Sequence, residues 1–433
     1  MSETTRSIGT SSRRDMLALS LGVGALSACR ATRAPVAPTG AAHADPFDEL
    51  RDERAGLAPI SSVERKARRV RLGTLLARRG LDAFVCEGGA TMSYLSGISW
   101  GKSERTFALV VTADGAHFWM CPAFEAEKAR LSINTDDGPA GEIVEWAEHE
   151  YAWKPMAAAL RARRAERVAV DPTARFFIAE SLRAELGGER VVFGREIVTE
   201  LRGVKDAHEL ALLRRANELT QRAIIATSQR VELGMNGSAV AALMDAAHRK
   251  LGMSGAWCLA LVGPAAAYPH GENHDVVIGR GDFLLVDTGA SLHGYQSDTT
   301  RTWCVAGAPD AARMKAWNAV RSAQQRAFDA LKPGVLCRDI DRIARASLAA
   351  DGFGGAYEHL THRLGHGIGV EGHEDPYFDG GNETVLAPGM TLSNEPGVYV
   401  LGKYGVRLED IVQVTESGAD HYGRWQGAPT SPE

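Results

Sequence analysis

The chain has little that would mark a nucleic-acid-binding or disulfide-rich protein. Its net charge is −5, and no block of Lys and Arg interleaved with aromatic residues occurs, so there is no electrostatic case for nucleic acid. Its few cysteines show no C-x-x-C spacing, which excludes a zinc ribbon or a disulfide framework. Five of them are expected to be buried thiols: Cys86, Cys121, Cys258, Cys304 and Cys337. With 433 residues, 45% hydrophobic and 24% charged, the composition is that of an ordinary globular protein of about two domains.

The N-terminus is predicted to be an export signal over residues 1–29. The stretch 12–17, SRRDML, resembles the twin-arginine motif, and the apolar run 16–28 is too short to span a bilayer as a permanent helix. The stretch 26–29, LSAC, resembles a lipobox, in which Cys29 becomes the lipidated first residue of the mature protein. We therefore expect export by the twin-arginine route to the periplasm or cell envelope, with membrane contact only through a lipid anchor.

The next two segments are expected to be a tether and a small α/β domain. Residues 30–59 are rich in Ala, Pro, Thr and Gly and are predicted to be disordered. Over 60–198, helices alternate with strands. A capping box at Ser61 and a stop at Gly80 predict the first helix. Its apolar stripe is expected to consist of Val63, Val70, Leu72, Leu75 and Leu76.

Residues 199–422 are predicted to form an α+β domain with an internal repeat. The segment 234–257 aligns without gaps on 334–357, with apolar matches at helical spacing and glycines where a helix would end. Each half is expected to contribute one helix and one carboxylate-bearing strand pair, which places a site on a pseudo-twofold axis. A helix over 202–219 opens this domain, and its charges Arg202, Lys205 and Glu209 are by default expected on a solvated face. Residues 423–433 are expected to be a C-terminal tail.

Two pairs of carboxylates stand at the ends of apolar or β-branched runs in this domain. Asp287 and Asp298 are eleven residues apart, and Glu395 and Glu409 are fourteen apart. His366 lies in a Gly-rich segment between the pairs. Unpaired buried carboxylates are costly, and a bound cation would resolve that cost. Oxygen ligands with one nitrogen suit Mn²⁺, Co²⁺ or Zn²⁺, and carboxylates numerous enough to bridge suggest two divalent ions.

Six segments carry these residues and their neighbours: PHGENH (269–274), LLVDTGA (284–290), SDTTRTW (297–303), HRLGHGIGVEGH (362–373), SNEPGVY (393–399) and VRLED (406–410). Together they resemble the pita-bread metallopeptidases, a family that includes aminopeptidase P, prolidase, methionine aminopeptidase and the metal-free creatinase. The resemblance extends from about residue 60 to about residue 420. It implies a creatinase/prolidase-like N-terminal domain, a pita-bread catalytic domain and a homodimer.

The resemblance assigns the five ligands to two metal ions, Mn²⁺ being favoured over Co²⁺ or Zn²⁺. It implies that Asp287 binds one ion, that Asp298 and Glu409 bridge both, and that His366 and Glu395 bind the other. The residues alone support the set of ligands and not this division.

Further roles at the site are also implied by the resemblance. Glu395 is expected to act as general base towards a metal-bridging water. His270 and His373 are expected to bind the peptide carbonyl oxygen and to protonate the leaving nitrogen. His362 is expected to line the pocket, and Arg407 to hold Asp287.

The histidines place the chain nearer to the proline-specific members of the family than to methionine aminopeptidase. We therefore expect cleavage of Xaa-Pro bonds at the N-terminus of peptides, as in aminopeptidase P. The alternatives are a prolidase, which splits Xaa-Pro dipeptides, and a creatinase-like C–N hydrolase. A non-catalytic binding module of the same fold is a third rival. The last two are expected to lose metal ligands, and all five are present here.

Overall fold

The computed structural model describes residues 46–133, 140–272 and 276–433. In this part of the chain, no helix is both long and apolar enough to cross a membrane. The expected export signal, the lipidation site Cys29 and residues 30–45 of the expected tether lie outside the described residues, so they stay predictions.

The N-terminal domain is built on a mixed six-stranded sheet with helices packed against it. Its elements are α1 Ser62–Arg78, β1 Ala83–Glu87, α2 Ala90–Ser96, β2 Ala108–Thr112, β3 His117–Pro122, α3 Ala126–Ile133, β4 Glu142–Trp146, α4 Trp153–Ala162, β5 Val168–Val170, α5 Phe176–Leu186, β6 Val191–Phe193 and α6 Arg195–Arg202. The strand order is β4-β3-β2-β1-β5-β6. Strands β1, β2 and β3 pair antiparallel, whereas β3–β4, β1–β5 and β5–β6 pair parallel. The predicted α/β domain is confirmed.

Helix α1 begins as predicted but buries a different stripe. Ser61 caps it in a reciprocal capping box with Glu64. The prediction that Val63 and Val70 belong to the buried stripe is wrong, because both are exposed. Arg68 and Arg69 are buried in their place, since their guanidinium groups donate to backbone carbonyls of α2 and, from Arg68, to a tyrosine hydroxyl of the catalytic domain. These partners lie far from α1 in the sequence, so the pattern of apolar residues within the helix does not indicate them.

The expected helix over 202–219 is instead two helices with a break between them. Helix α6 ends at Arg202, and α7, which spans Ala207–Ser228, begins after the cap Asp206. The expectation of a solvated face is wrong, because Arg202, Lys205 and Glu209 are all buried. Arg202 and Lys205 both pair with Glu374, and Arg68 pairs with Glu209 at 3.3 Å. These ion pairs join the N-terminal domain to the catalytic domain.

The catalytic domain contains two antiparallel sheets, each covered by a pair of helices. After α7, its elements are α8 Gly237–Lys250, β7 Ser254–Val262, β8 Phe283–Leu292, β9 Tyr295–Gln296, β10 Thr299–Cys304, α9 Ala311–Asp329, α10 Cys337–Ala350, β11 Gly365–Gly367, β12 Glu374–Phe378, β13 Thr391–Asn394, β14 Gly397–Val400, β15 Tyr404–Arg407, β16 Asp410–Val414 and β17 Ala419–His421. One sheet has the order β10-β8-β7 with β9 beside β8, and the other has the order β12-β11-β13-β16-β17. Strands β14 and β15 form a separate hairpin.

The predicted internal repeat is present in the fold. Helices α8 and α10 have the same length and begin 100 residues apart. Gly252 and Gly352, which follow these helices, have φ of +87° and +83°, a left-handed conformation that favours glycine. Each half has its own apolar core between its helices and its sheet. The halves meet where Thr300 and Glu409 form an antiparallel backbone bridge.

The described part of the expected tether and the expected C-terminal tail are both packed onto the catalytic domain. Phe47 and Leu50, from the second half of the expected tether, are buried in the core beneath α7 and α8. In the expected tail, Gln426 is buried and exchanges side-chain hydrogen bonds with the backbone of Thr302. Both segments are therefore part of the folded catalytic domain.

Candidate active site

Strands β8 and β10 of the first half bring two carboxylates to one face of their sheet. Asp287 on β8 lies opposite Thr300 on β10. Asp298 directly precedes β10, and one of its carboxylate oxygens lies within 4.8 Å of a carboxylate oxygen of Asp287. The backbone N–H of Asp298 donates to the Asn217 side chain at 3.1 Å, which fixes this carboxylate against α7.

The second half contributes two glutamates and a histidine from neighbouring strands. Glu395 directly follows β13, and Glu409 directly precedes β16. These strands pair antiparallel, and the end of β13 lies opposite the start of β16, so the two glutamates are neighbours. His366 lies on β11, beside β13. The backbone N–H of Glu395 donates to the Leu364 carbonyl at 3.0 Å, so this glutamate is tied to the β11 segment.

The five predicted metal ligands converge on one place. His366 Nε2 lies 3.3 Å from Glu395 Oε1, 3.7 Å from Asp298 Oδ2 and 3.9 Å from Glu409 Oε1. Asp287, Asp298 and Glu409 form one group of ligand atoms within 4.8 Å of one another, and His366, Glu395 and Glu409 form a second. Glu409 belongs to both groups, as expected of a ligand that bridges two ions.

The chemistry of this cluster fits divalent cations. One oxygen each of Asp287, Asp298 and Glu409 is buried without a hydrogen-bond partner in the described chain. Burial, together with the neighbouring carboxylates, raises the pKa of Asp298 and Glu409 well above the usual range, and burial raises the pKa of Glu395 to about 7. A bound cation would supply the missing partner for these oxygens and favour their ionised forms.

The imidazole of His366 is oriented as a metal ligand. Its Nδ1 lies 3.1 Å from the Gly367 carbonyl and donates its proton there, which leaves Nε2 as an acceptor facing the carboxylates. Burial, with the charge of His373 as a further cause, lowers the pKa of His366 to about 3. The ring is therefore neutral and able to bind a cation at neutral pH.

Arg407 donates hydrogen bonds to several of the groups that surround the carboxylates. Its Nη2 donates to Asp287 Oδ2 at 2.6 Å, the contact that the sequence led us to expect. Its Nε donates to the Thr300 hydroxyl at 3.2 Å, and that hydroxyl donates to Glu409 Oε2 at 2.6 Å. Arg407 thus fixes two of the carboxylates, one directly and one through Thr300.

The three predicted histidines line the same cleft but differ in their exposure and in their hydrogen bonds. His270 and His373 are exposed to the cleft, and the ring of His373 stacks on His366 with centroids 3.8 Å apart. His362 has both ring nitrogens engaged, Nδ1 with the Arg363 carbonyl and Nε2 with the Tyr399 hydroxyl, each at 2.7 Å. His362 therefore shapes the cleft wall, whereas His270 and His373 can contact a ligand directly.

The cleft has a volume of about 470 Å³, within the range of small-molecule sites. Sequence reasoning missed three polar residues in or directly behind the cleft wall. Thr300 had a usable signal, since it stands two residues after Asp298 in a β-branched run, where alternating side chains would be expected on one face. Tyr399 accepts from Arg407 at 2.9 Å and contacts His362, a link that no spacing indicates. Arg363 lines the cleft beside His362, inside a segment that we had already singled out.

Comparison with known proteins agrees with this site. The creatinase/prolidase N-terminal domain matches residues 68–204, and metallopeptidase family M24 matches residues 211–416. Two curated relatives are each 32% identical. The provisionally assigned dipeptidase YkvY of Bacillus subtilis aligns over 81% of this chain and 95% of its own. The Xaa-Pro dipeptidase of Pyrococcus furiosus aligns over 59% of this chain and 73% of its own.

A solved structure, dipeptidase PepE from Mycobacterium ulcerans, superposes with a TM-score of 0.79 at 30% identity, covering 86% of this chain and 99% of that one. Fold and site together define a metallopeptidase with a pita-bread catalytic domain. The chain belongs to metallopeptidase family M24.

Proposed function

We propose that this protein is a dinuclear metal-dependent dipeptidase that hydrolyses Xaa-Pro dipeptides. The observation that carries the proposal is the convergence of five metal-ligating side chains in a cleft lined by two exposed histidines. The three relatives described above are named dipeptidases, and the one from Pyrococcus furiosus is named an Xaa-Pro dipeptidase. They favour the prolidase alternative over the aminopeptidase P activity that the sequence first led us to expect.

The metal requirement follows from the donor set. When bound, a pair of divalent cations supplies Lewis-acid activation of a water molecule and of the substrate carbonyl. Asp287, Asp298, His366, Glu395 and Glu409 are the residues that would hold this pair. We favour manganese because the donors are mainly carboxylates.

The chain's own residues supply binding and proton transfer. Glu395 directs Oε1 towards the shared ligand space and accepts the proton of the attacking water. His373 and His270, exposed in the cleft, donate hydrogen bonds to the scissile carbonyl oxygen. One of them also delivers a proton to the prolyl nitrogen, which must be protonated to leave as an amine. Arg407, Thr300 and the Tyr399–His362 pair keep these groups in place.

The test is product analysis with purified protein loaded with Mn²⁺. We expect Ala-Pro to be split into alanine and proline, with a much lower kcat/KM on Ala-Pro-Ala. Release of alanine from Ala-Pro-Ala at a rate equal to that on Ala-Pro would instead identify an aminopeptidase P. Hydrolysis of Ala-Leu but not Ala-Pro would support a dipeptidase activity but contradict the proposed specificity for Xaa-Pro.

A further inference from the structure

We propose that helix α6 of the N-terminal domain holds the segment 371–375 and thereby positions His373 in the metal cleft. Arg195, Thr199 and Arg202 are the positioning residues. This inference rests on the proposed function, in which His373 donates a hydrogen bond to the scissile carbonyl oxygen. The five metal ligands all belong to the catalytic domain, so the inference gives the N-terminal domain a part in catalysis.

Helix α6 has an apolar face that is fixed in its own domain and a polar face opposite to it. Ile197 and Leu201 are buried in the same apolar core as the leucines of α1. Arg195, Thr199 and Arg202 are spaced by four and three residues, so they lie along the other face of the helix. The helix is therefore a rigid mount for three polar side chains.

Arg202 binds acidic residues on both sides of His373. Its Nη2 donates to Glu371 Oε2 at 2.6 Å and also to Glu374 Oε2. Arg202 is buried, and its Nη1 donates to the Thr91 hydroxyl of the N-terminal domain at 3.3 Å. Because His373 lies between the two glutamates in the sequence, one guanidinium group holds the chain before and after it.

Arg195 and Thr199 bind the next acidic residue, Asp375. Arg195 donates to both carboxylate oxygens of Asp375, from Nε at 3.0 Å and from Nη2 at 2.9 Å. The Thr199 hydroxyl donates to Asp375 Oδ2 at 2.9 Å. A bidentate pair of this kind fixes the orientation of the carboxylate as well as its position. Helix α6 therefore holds the segment 371–375 through three acidic residues.

His373 depends on this support because two cavities adjoin it. It lines the metal cleft and also a second cavity of about 370 Å³ between α6 and the segment 371–377. Its ring stacks on His366, with centroids 3.8 Å apart. A side chain beside open space is held less by packing than by its own backbone. A displacement of about 1 Å at a reacting group can lower the rate about 100-fold, so the position of this backbone affects catalysis.

The first measurement is hydrogen–deuterium exchange, which does not depend on activity. The double variant Arg195→Met/Thr199→Val releases Asp375 and leaves the buried Arg202 in place. In Mn²⁺-loaded protein we expect the amides of residues 371–375 to exchange about 10-fold faster than in the wild type, because local opening becomes easier. Exchange in α9 should not change.

The second measurement is a double-mutant cycle with His373→Ala, followed by kcat on Ala-Pro. Alone, the double variant should lower kcat about 10- to 100-fold. In the His373→Ala background it should change kcat less than about threefold, because the group that it positions is already absent. Arg195→Lys, which keeps the charge, should lose less activity than Arg195→Met. The control is Arg183→Met, which removes an exposed arginine of α5 paired with Glu180 at 2.8 Å and should keep wild-type exchange and kinetics.

Unchanged exchange in residues 371–375 would overturn the inference. An equal loss of kcat with and without His373 would also overturn it, since the double variant would then act by another route. Full activity of His373→Ala would refute the role of this histidine in the proposed function and, with it, the catalytic part of the inference. A wild type that hydrolyses Ala-Leu but not Ala-Pro would contradict only the proline specificity, and the cycle would then be measured on Ala-Leu.

Discussion

Replacing Glu395 with glutamine is expected to lower kcat on Ala-Pro about 1,000-fold, which corresponds to about 4 kcal/mol in the activation free energy. Glutamine keeps the shape of the side chain and an oxygen that can ligate, but it cannot accept a proton from water. The measurement is steady-state kinetics at several concentrations of Mn²⁺. Because the lost group is the base, added metal should not restore the rate.

The control for Glu395→Gln is Glu383→Gln, which removes an exposed glutamate paired with Arg338. This variant should keep wild-type kinetics. Recovery of Glu395→Gln to near wild-type kcat at high Mn²⁺ would contradict the role of general base. It would reduce Glu395 to a ligand that merely raises metal affinity.

Replacing Glu374 with glutamine is expected to destabilise the protein by about 3–5 kcal/mol. Glu374 is buried, and the charges of Lys205 and Arg202 lower its pKa against the effect of burial. Its Oε1 lies 2.8 Å from Lys205 Nζ. Neutralising it leaves two buried cations, with Glu371, 2.6 Å from Arg202, as the remaining acid. The free energy of unfolding from urea titration measures the effect.

The surface variant Glu383→Gln is again the matched comparison, since exposed ion pairs contribute little, about 0–1 kcal/mol. A loss for Glu374→Gln no larger than that for Glu383→Gln would contradict the account of the domain junction. It would mean that Arg202 and Lys205 are solvated, as their local sequence suggested.

The metal ligands could be predicted because each carries its own local signal. Asp287, Asp298, Glu395 and Glu409 are acidic residues at the ends of apolar or β-branched runs, and such residues are costly when buried unless something binds them. The resemblance to a known family then supplied their grouping. The internal repeat was equally accessible, since α8 and α10 preserve their spacing and their glycine ends.

The charged residues at the domain junction could not be predicted from the local pattern. Arg202 and Lys205 look like a solvated face because their partner Glu374 lies about 170 residues further along. Arg68 is similar, since its hydroxyl partner Tyr295 is 227 residues away. Burial of an arginine is decided by such distant partners, and helical periodicity does not report them.

The position of Arg363 in the cleft could not be predicted from the local pattern either. Its sequence neighbours His362 and His366 attracted notice, but an arginine beside a buried strand is most simply a surface residue. Only the fold shows that α10 fixes its backbone and that Tyr377 packs on its guanidinium.

The central claim is that five side chains from two related halves hold a pair of divalent ions. The most direct measurement is anomalous diffraction from crystals of Mn²⁺-loaded protein, with metal content measured in solution. The account predicts two manganese peaks, both within ligand distance of Glu409, one beside Asp287 and the other beside His366. No peak, or manganese bound only elsewhere on the protein, would contradict it.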